Sequence, residues 1–157
     1  MKSLTSISRA AVAALFVASA ALAQDQTALE RWEADHTIVF DASDVSLSDL
    51  QWIARPLVVF ADTENDPRFQ QQMDLIIAGL DDLAVRDVMI ITDTDPAARS
   101  DIRLELRPRG YMMALLAKDG RVAFRKPTPW NVREISRSID KMPLRQQEIE
   151  DRRLLGQ

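Results

Sequence analysis

The sequence predicts an α/β fold with a mixed central sheet flanked by helices, and three observations carry that expectation. Residues 57–61 (LVVFA) and 88–91 (VMII) are apolar runs, each followed by a short acidic loop and an Asp–Pro pair that opens a helical stretch. Two successive strand–helix units of this kind imply parallel strands joined by crossovers. Further along, residues 111–117 (YMMALLA) and 122–125 (VAFR) flank Asp119 and Gly120, and an Asp-Gly pair between two strand-like runs signals a hairpin.

The elements follow in order. Residues 1–23 have Lys2 and Arg9 at their charged end, an apolar stretch from Ala10 and small residues at Ala21 and Ala23. These are the parts of a cleaved secretory signal peptide. The apolar stretch is too short for the roughly 20 residues that a spanning helix needs. The expected location is therefore the periplasm or the exterior, with a mature N-terminus at Gln24 and no membrane span after cleavage. Residues 24–45 form an N-terminal segment, polar and loose as far as Asp35, then a short strand over 36–41 (HTIVFD). Residues 46–54 place Leu47, Leu50 and Ile53 at a spacing of three, which predicts a helical turn ended by Pro56.

The run 57–61 is apolar on both faces, as a central strand should be. Asp66 as cap and Pro67 at the first helical position start a helix. Its apolar stripe comprises Phe69, Met73, Ile76, Ile77, Leu80 and Leu83. The second unit repeats the pattern, with the strand 88–91, the loop 92–95 (TDTD), and a helix opened by Asp95 and Pro96 that carries Ala98, Ile102 and Leu106. After the hairpin, Thr128 and Pro129 introduce a helix bearing Trp130, Val132, Ile135 and Ile139, and Pro143 breaks it. The domain is expected over 46–142, with 143–157 a charged C-terminal helix or tail exposed to solvent.

Composition removes whole classes of function. The chain has 157 residues, a net charge of -4, one histidine and no cysteine. An acidic chain without a basic stripe is a poor nucleic-acid binder. Without cysteine there is no disulfide, no thiolate nucleophile and no cysteine-ligated zinc. No glycine-rich phosphate loop or nucleophile elbow is present, and no cofactor is expected.

The order strand, turn, βα, βα, hairpin, helix resembles the thioredoxin-like order. The phrase VSLSDLQWIARPLVVFADTEND is similar to the opening of peroxiredoxins and thiol-disulfide reductases. RPLVVFA, RDVMIITD, RGYMMALLAKDGRVAFRKPTPW and ISRSIDKMPLRQQE together resemble domain-of-unknown-function family 4174, across residues 47–152. The resemblance implies a thioredoxin-like (peroxiredoxin-like) fold and little chemistry. In redox relatives the loop after the strand 57–61 bears the reactive cysteine. Here it reads Asp62, Thr63, Glu64, Asn65, Asp66, which excludes peroxidase or disulfide-reductase chemistry through a protein thiol.

With that fold, Asp62, Glu64, Asp93, Arg107, Arg109 and Tyr111 are expected at one edge of the sheet, where open α/β sheets bind ligands. Carboxylates Asp62, Glu64 and Asp93 offer oxygen ligands to a divalent cation, against the simpler reading of helix caps and loop acids. Arg107 and Arg109 are placed to bind a partner's carboxylate or phosphate, or else to neutralise the acids beside them. Lys118, Arg121, Arg125 and Lys126 read either as an interaction surface or as a charged, aggregation-resistant edge strand. The expected function is a non-catalytic binding or interaction domain with an unknown protein or small-molecule partner. The alternative is a cysteine-independent enzyme or a cation-binding protein using the carboxylate–arginine edge.

Overall fold

The centre of the sheet is a strand with no polar face. In the computed structural model, which describes residues 26–156, every residue of Arg55–Phe60 is buried. This strand, β2, follows β1 (Val39–Asp41) and precedes β3 (Val88–Asp93), β4 (Met112–Leu116) and β5 (Val122–Lys126). The sheet order is β1-β3-β2-β4-β5. β1, β3 and β2 run parallel, with Val39 opposite Ile90 and Leu57 opposite Ile90 on its other side. β4 is antiparallel to β2 and β5 antiparallel to β4, with a register shift between Leu115 and Leu116. This is the mixed sheet of the thioredoxin-like arrangement.

The two-residue period of a strand sends alternate side chains of β2 to opposite faces. Val58 and Phe60 join Phe40, Leu50, Met89 and Ile91 beneath α1 (Ala28–Ala34) and α4 (Asp101–Leu106). Leu57 and Val59 join Ile76, Leu83, Ile90 and Leu115 beneath α2 (Pro67–Ile77), α3 (Leu80–Ala84) and α5 (Val132–Asp140). The last helix, α6 (Pro143–Leu154), packs beside α5.

Several elements differ from the sequence expectation. The stretch before Asp35 is not loose: Thr27 and Glu30 form a capping box, and α1 buries Trp32. The single helix expected from Pro67 to Leu83 is two, α2 and α3, separated at Gly79. A Cβ there would lie 2.8 Å from Val132, so the absence of a side chain lets α5 approach. Ile77 lies at this break and faces solvent. The helix expected from Asp95 is a 3-10 turn over Pro96–Ala98, which ends at Arg99 with φ 49°. Ser100 then caps the true helix α4. The strand before it runs two residues further than expected, taking in Thr92 and Asp93. The proposed signal segment 1–23 lies outside the described residues.

Residues 143–157 were expected as a solvated helix, yet α6 inserts charged side chains under the start of β2. Arg55, only 1% exposed, donates to the Arg86 carbonyl at 2.8 Å and to Glu148 at 2.9 Å. Lys118 reaches Asp87 at 2.8 Å and Glu148 at 3.0 Å. Arg86 grips Asp140 through two hydrogen bonds, and Arg145 reaches Glu148 at 3.3 Å. A buried cation is tolerable only when paired, and Glu148 supplies the pairing from the far end of the chain.

The clamp has a pH signature. Burial works against the charge on Glu148, but hydrogen bonds from Arg55 and Lys118, reinforced by their charges, hold its carboxyl below the usual 4.5. Hydrogen bonds from Arg86 likewise hold Asp140 below 3.8. A carboxyl depressed in the folded state adds stability above its unfolded pKa and loses it as pH falls through the folded value. The melting temperature should therefore fall steeply as pH drops below 4.5, and less steeply in Glu148→Gln. Melting curves between neutral pH and pH ~3 with the same slope for both proteins would remove Glu148 from this role.

Candidate functional site

The expected site lies where β2 and β3 end. Beyond Phe60 the ladder gains one more bond, from the Ala61 amide to the Asp93 carbonyl at 2.9 Å. The chain then turns through 62–65 to Asp66, whose carboxylate accepts from the Arg68 amide at 2.9 Å and caps α2, with Pro67 in the first turn. Pro lacks the donor that this position would leave unpaired. Arg68 folds back on Asp66 at 2.7 Å and lies 5.3 Å over the Tyr111 ring.

Asp93 is buried and fully engaged. Its Oδ1 accepts from Arg103 Nε at 2.9 Å and Nη2 at 2.7 Å, and its Oδ2 accepts from the Ser100 hydroxyl at 2.6 Å. Arg103 Nη2 also donates to the Ala61 carbonyl at 2.8 Å and the Asp93 carbonyl at 3.0 Å. One guanidinium thus ties together the ends of two parallel strands, using the planar fork that makes arginine suited to carboxylates. Arg103 approaches Asp62 more loosely, at 3.8 Å.

The antiparallel pairing of Met112 with Phe60 brings the turn before β4 to the same edge. Gly110 has φ 62°, and its missing Cβ would sit 3.8 Å from Asp62 Oδ2. The expected juxtaposition of the arginine turn with the acidic loop is therefore present, with a different division of labour. Arg107 and Arg109 are exposed and make no ion pair among the described residues. Arg103, which sequence reasoning missed, takes the neutralising role. Glu64 is exposed and, among the described residues, also makes no ion pair. Tyr111 is buried rather than offered to a partner. Its hydroxyl donates to Gln72 Oε1 at 3.3 Å, and burial pushes its pKa up to about 12. A phenol held neutral this way is no base at ordinary pH.

The cation set Asp62, Glu64 and Asp93 is not assembled, because both Asp93 oxygens are occupied. Among the described residues no group of three or more potential metal ligands converges. His36 stacks on Trp32 with ring centroids 4.0 Å apart. The edge strand β5 carries Lys126, which sits 3.8 Å over the Trp130 ring. Lys118, grouped with it in the sequence reading, is committed to Asp87 and Glu148.

The family model described as Domain of unknown function (DUF4174) matches residues 46–148. The chain belongs to this family. The match begins before β2 and ends at Glu148, so the DUF4174 domain takes in the partner of Arg55 as well as the loop edge. Among solved structures, thioredoxin peroxidase I of Plasmodium yoelii is similar, at 17% identity over 72% of this chain and 82% of that one, with a TM-score of 0.48. No curated protein matches the DUF4174 chain in sequence. Among the described residues no helix is long and apolar enough to cross a membrane.

Proposed function

We propose that the protein is an exported, non-catalytic binding domain, and that its partner docks on the loop edge formed by Asp62, Glu64, Arg107 and Arg109. One observation carries this reading. The loop that bears a thiol in redox relatives holds exposed charges instead, and the buried groups next to it, Asp93 and Tyr111, are taken up by Arg103, Ser100 and Gln72. Nothing in that set is poised to exchange a proton or attack a substrate. Two acids and two arginines remain at the surface, and a peptide or protein segment of mixed charge complements them better than a phosphate ester does. Export rests on the segment 1–23, and cleavage after Ala23 makes the domain more acidic by removing Lys2 and Arg9.

The test is capture of partners from periplasmic extract by the mature domain, with its N-terminus read by mass spectrometry. Asp62→Ala and Arg109→Ala should each alter what is captured. Stability should change by no more than about 0.5 kcal/mol, as for surface substitutions away from structural features. Capture indifferent to both changes overturns the edge, and exported protein that retains residues 1–23 overturns the processing.

A further inference from the structure

At the opposite end of the strands, a cavity of about 330 Å³ opens between the hairpin loop and the first turn of α6. Its size is at the lower end of the range for small-molecule pockets. The walls are mainly apolar, from Trp52, Ala117, Ala123, Met142 and Leu144.

Trp52 is the unusual member. Its φ is 67°, a left-handed conformation that glycine adopts freely and a bulky aromatic residue rarely does. The turn is pinned to the hairpin loop by the Trp52 amide, which donates to the Lys118 carbonyl at 2.6 Å, and by Gln51 Nε2, which donates to the Asp119 carbonyl at 3.2 Å. The indole so placed is not buried by the fold: Trp52 is 65% exposed. A strained backbone that holds a large ring at the rim of an apolar cavity points to a ligand-facing role.

The polar lining has one sign in excess. Arg55, Lys118 and Arg121 line the cavity against a single acid, Asp119. Asp87 and Glu148 already satisfy Lys118 and neutralise Arg55. The Arg55 Nε is nevertheless buried without a hydrogen-bond acceptor. Arg121 is almost fully exposed, and its one ion pair among the described residues is with Asp119 at 3.5 Å. A guanidinium with one loose partner retains donors for a second carboxylate.

We infer that this cavity binds a small carboxylate with a flat apolar body, its ring against Trp52 and its carboxylate on Arg121. The apolar walls shield the ring from water, and Arg121, the lining cation with a loose partner, decides which end of the ligand turns toward it. The site is distinct from the loop edge of the proposed function, so each can fail without the other.

The experiment titrates the mature domain with 2-naphthoate and with its neutral counterpart 2-naphthamide, followed by calorimetry and by the indole N–H resonances of the three tryptophans. Saturable naphthoate binding is expected, with Trp52 shifting more than Trp32 or Trp130. Naphthamide should bind about tenfold more weakly, the order of a charge-assisted hydrogen bond. Arg121→Gln, an exposed change, should bring naphthoate down to the naphthamide level and leave naphthamide unaffected. Trp52→Gly relieves the strained φ, so it should fold at least as well as the parent and lose binding of both compounds. No saturable binding, a response centred on another tryptophan, or equal naphthoate affinity in Arg121→Gln would each overturn the assignment.

Discussion

Phe60→Ala is expected to lower stability by about 3–5 kcal/mol, the usual cost of removing an enclosed phenylalanine. The side chain is fully buried on the face that β2 shares with Leu50, Met89, Ile91 and Ile102. Its ring also underlies the Arg103 guanidinium at 5.5 Å, so the substitution removes packing and a cation–π contact together. The strands around it are fixed by ladders on both sides and cannot collapse into the space. Urea unfolding measures the effect as a lower midpoint with an unchanged slope. A loss below about 1 kcal/mol would mean that the side chain is not enclosed.

Asp93→Ala should be comparably damaging, at about 3–5 kcal/mol, because it strands a charge. Arg103 keeps its hydrogen bonds to the Ala61 and Asp93 carbonyls, but the anion against its largely covered guanidinium is gone. Asp62, at 3.8 Å and largely in water, is too loose a substitute. Arg103→Met in the same background should recover part of the loss, since removing both partners eliminates the uncompensated charge. If the double variant is as unstable as the sum of the singles, the two side chains are not coupled. The loop edge would then be held by its backbone alone. Either single change removes a large share of the 5–15 kcal/mol that is typical of a whole domain.

The sheet was legible because its strands write their burial into composition. The runs 57–61 and 88–91 are apolar on both faces, and Asp119 with Gly120 marks the hairpin. On these strands Val59, Phe60, Ile90 and Leu115 are all fully buried, as is Ile76 on the stripe of the helix that follows the first run. Helix α1 was missed because it is short and Trp32 is its one buried residue, with Ala28 and Leu29 only partly covered. Its signal was the Thr27–Glu30 capping box, which can be read from sequence. The second Asp–Pro pair misled because the same cap serves a 3-10 turn as well as a helix. The left-handed residue that separates turn from helix is Arg99, which nothing in the sequence marks as one.

At the candidate edge, topology correctly joined the arginine turn to the acidic loop. Which arginine would pair with Asp93 depended on the helical position of Arg103 relative to Ser100, and that followed from the misplaced helix start. The partnership of Arg55 with Glu148 was beyond any local pattern. Charges brought together by the fold from distant segments leave no periodicity behind.

That partnership also bears on the order in which the molecule can be completed. Arg55 and Glu148 stand 93 positions apart, and a contact spanning so much chain closes only after the entropy of a long loop has been overcome. During synthesis, β2 is made long before its counter-charge exists. Until Glu148 arrives, the guanidinium at the start of the central strand has only the Arg86 carbonyl and the looser Asp87 carboxylate, at 3.8 Å, as partners. A nascent chain halted short of Glu148 thus lacks the closer of Arg55's two counter-charges, and the helix that carries Glu148 completes the pairing at the start of the central strand.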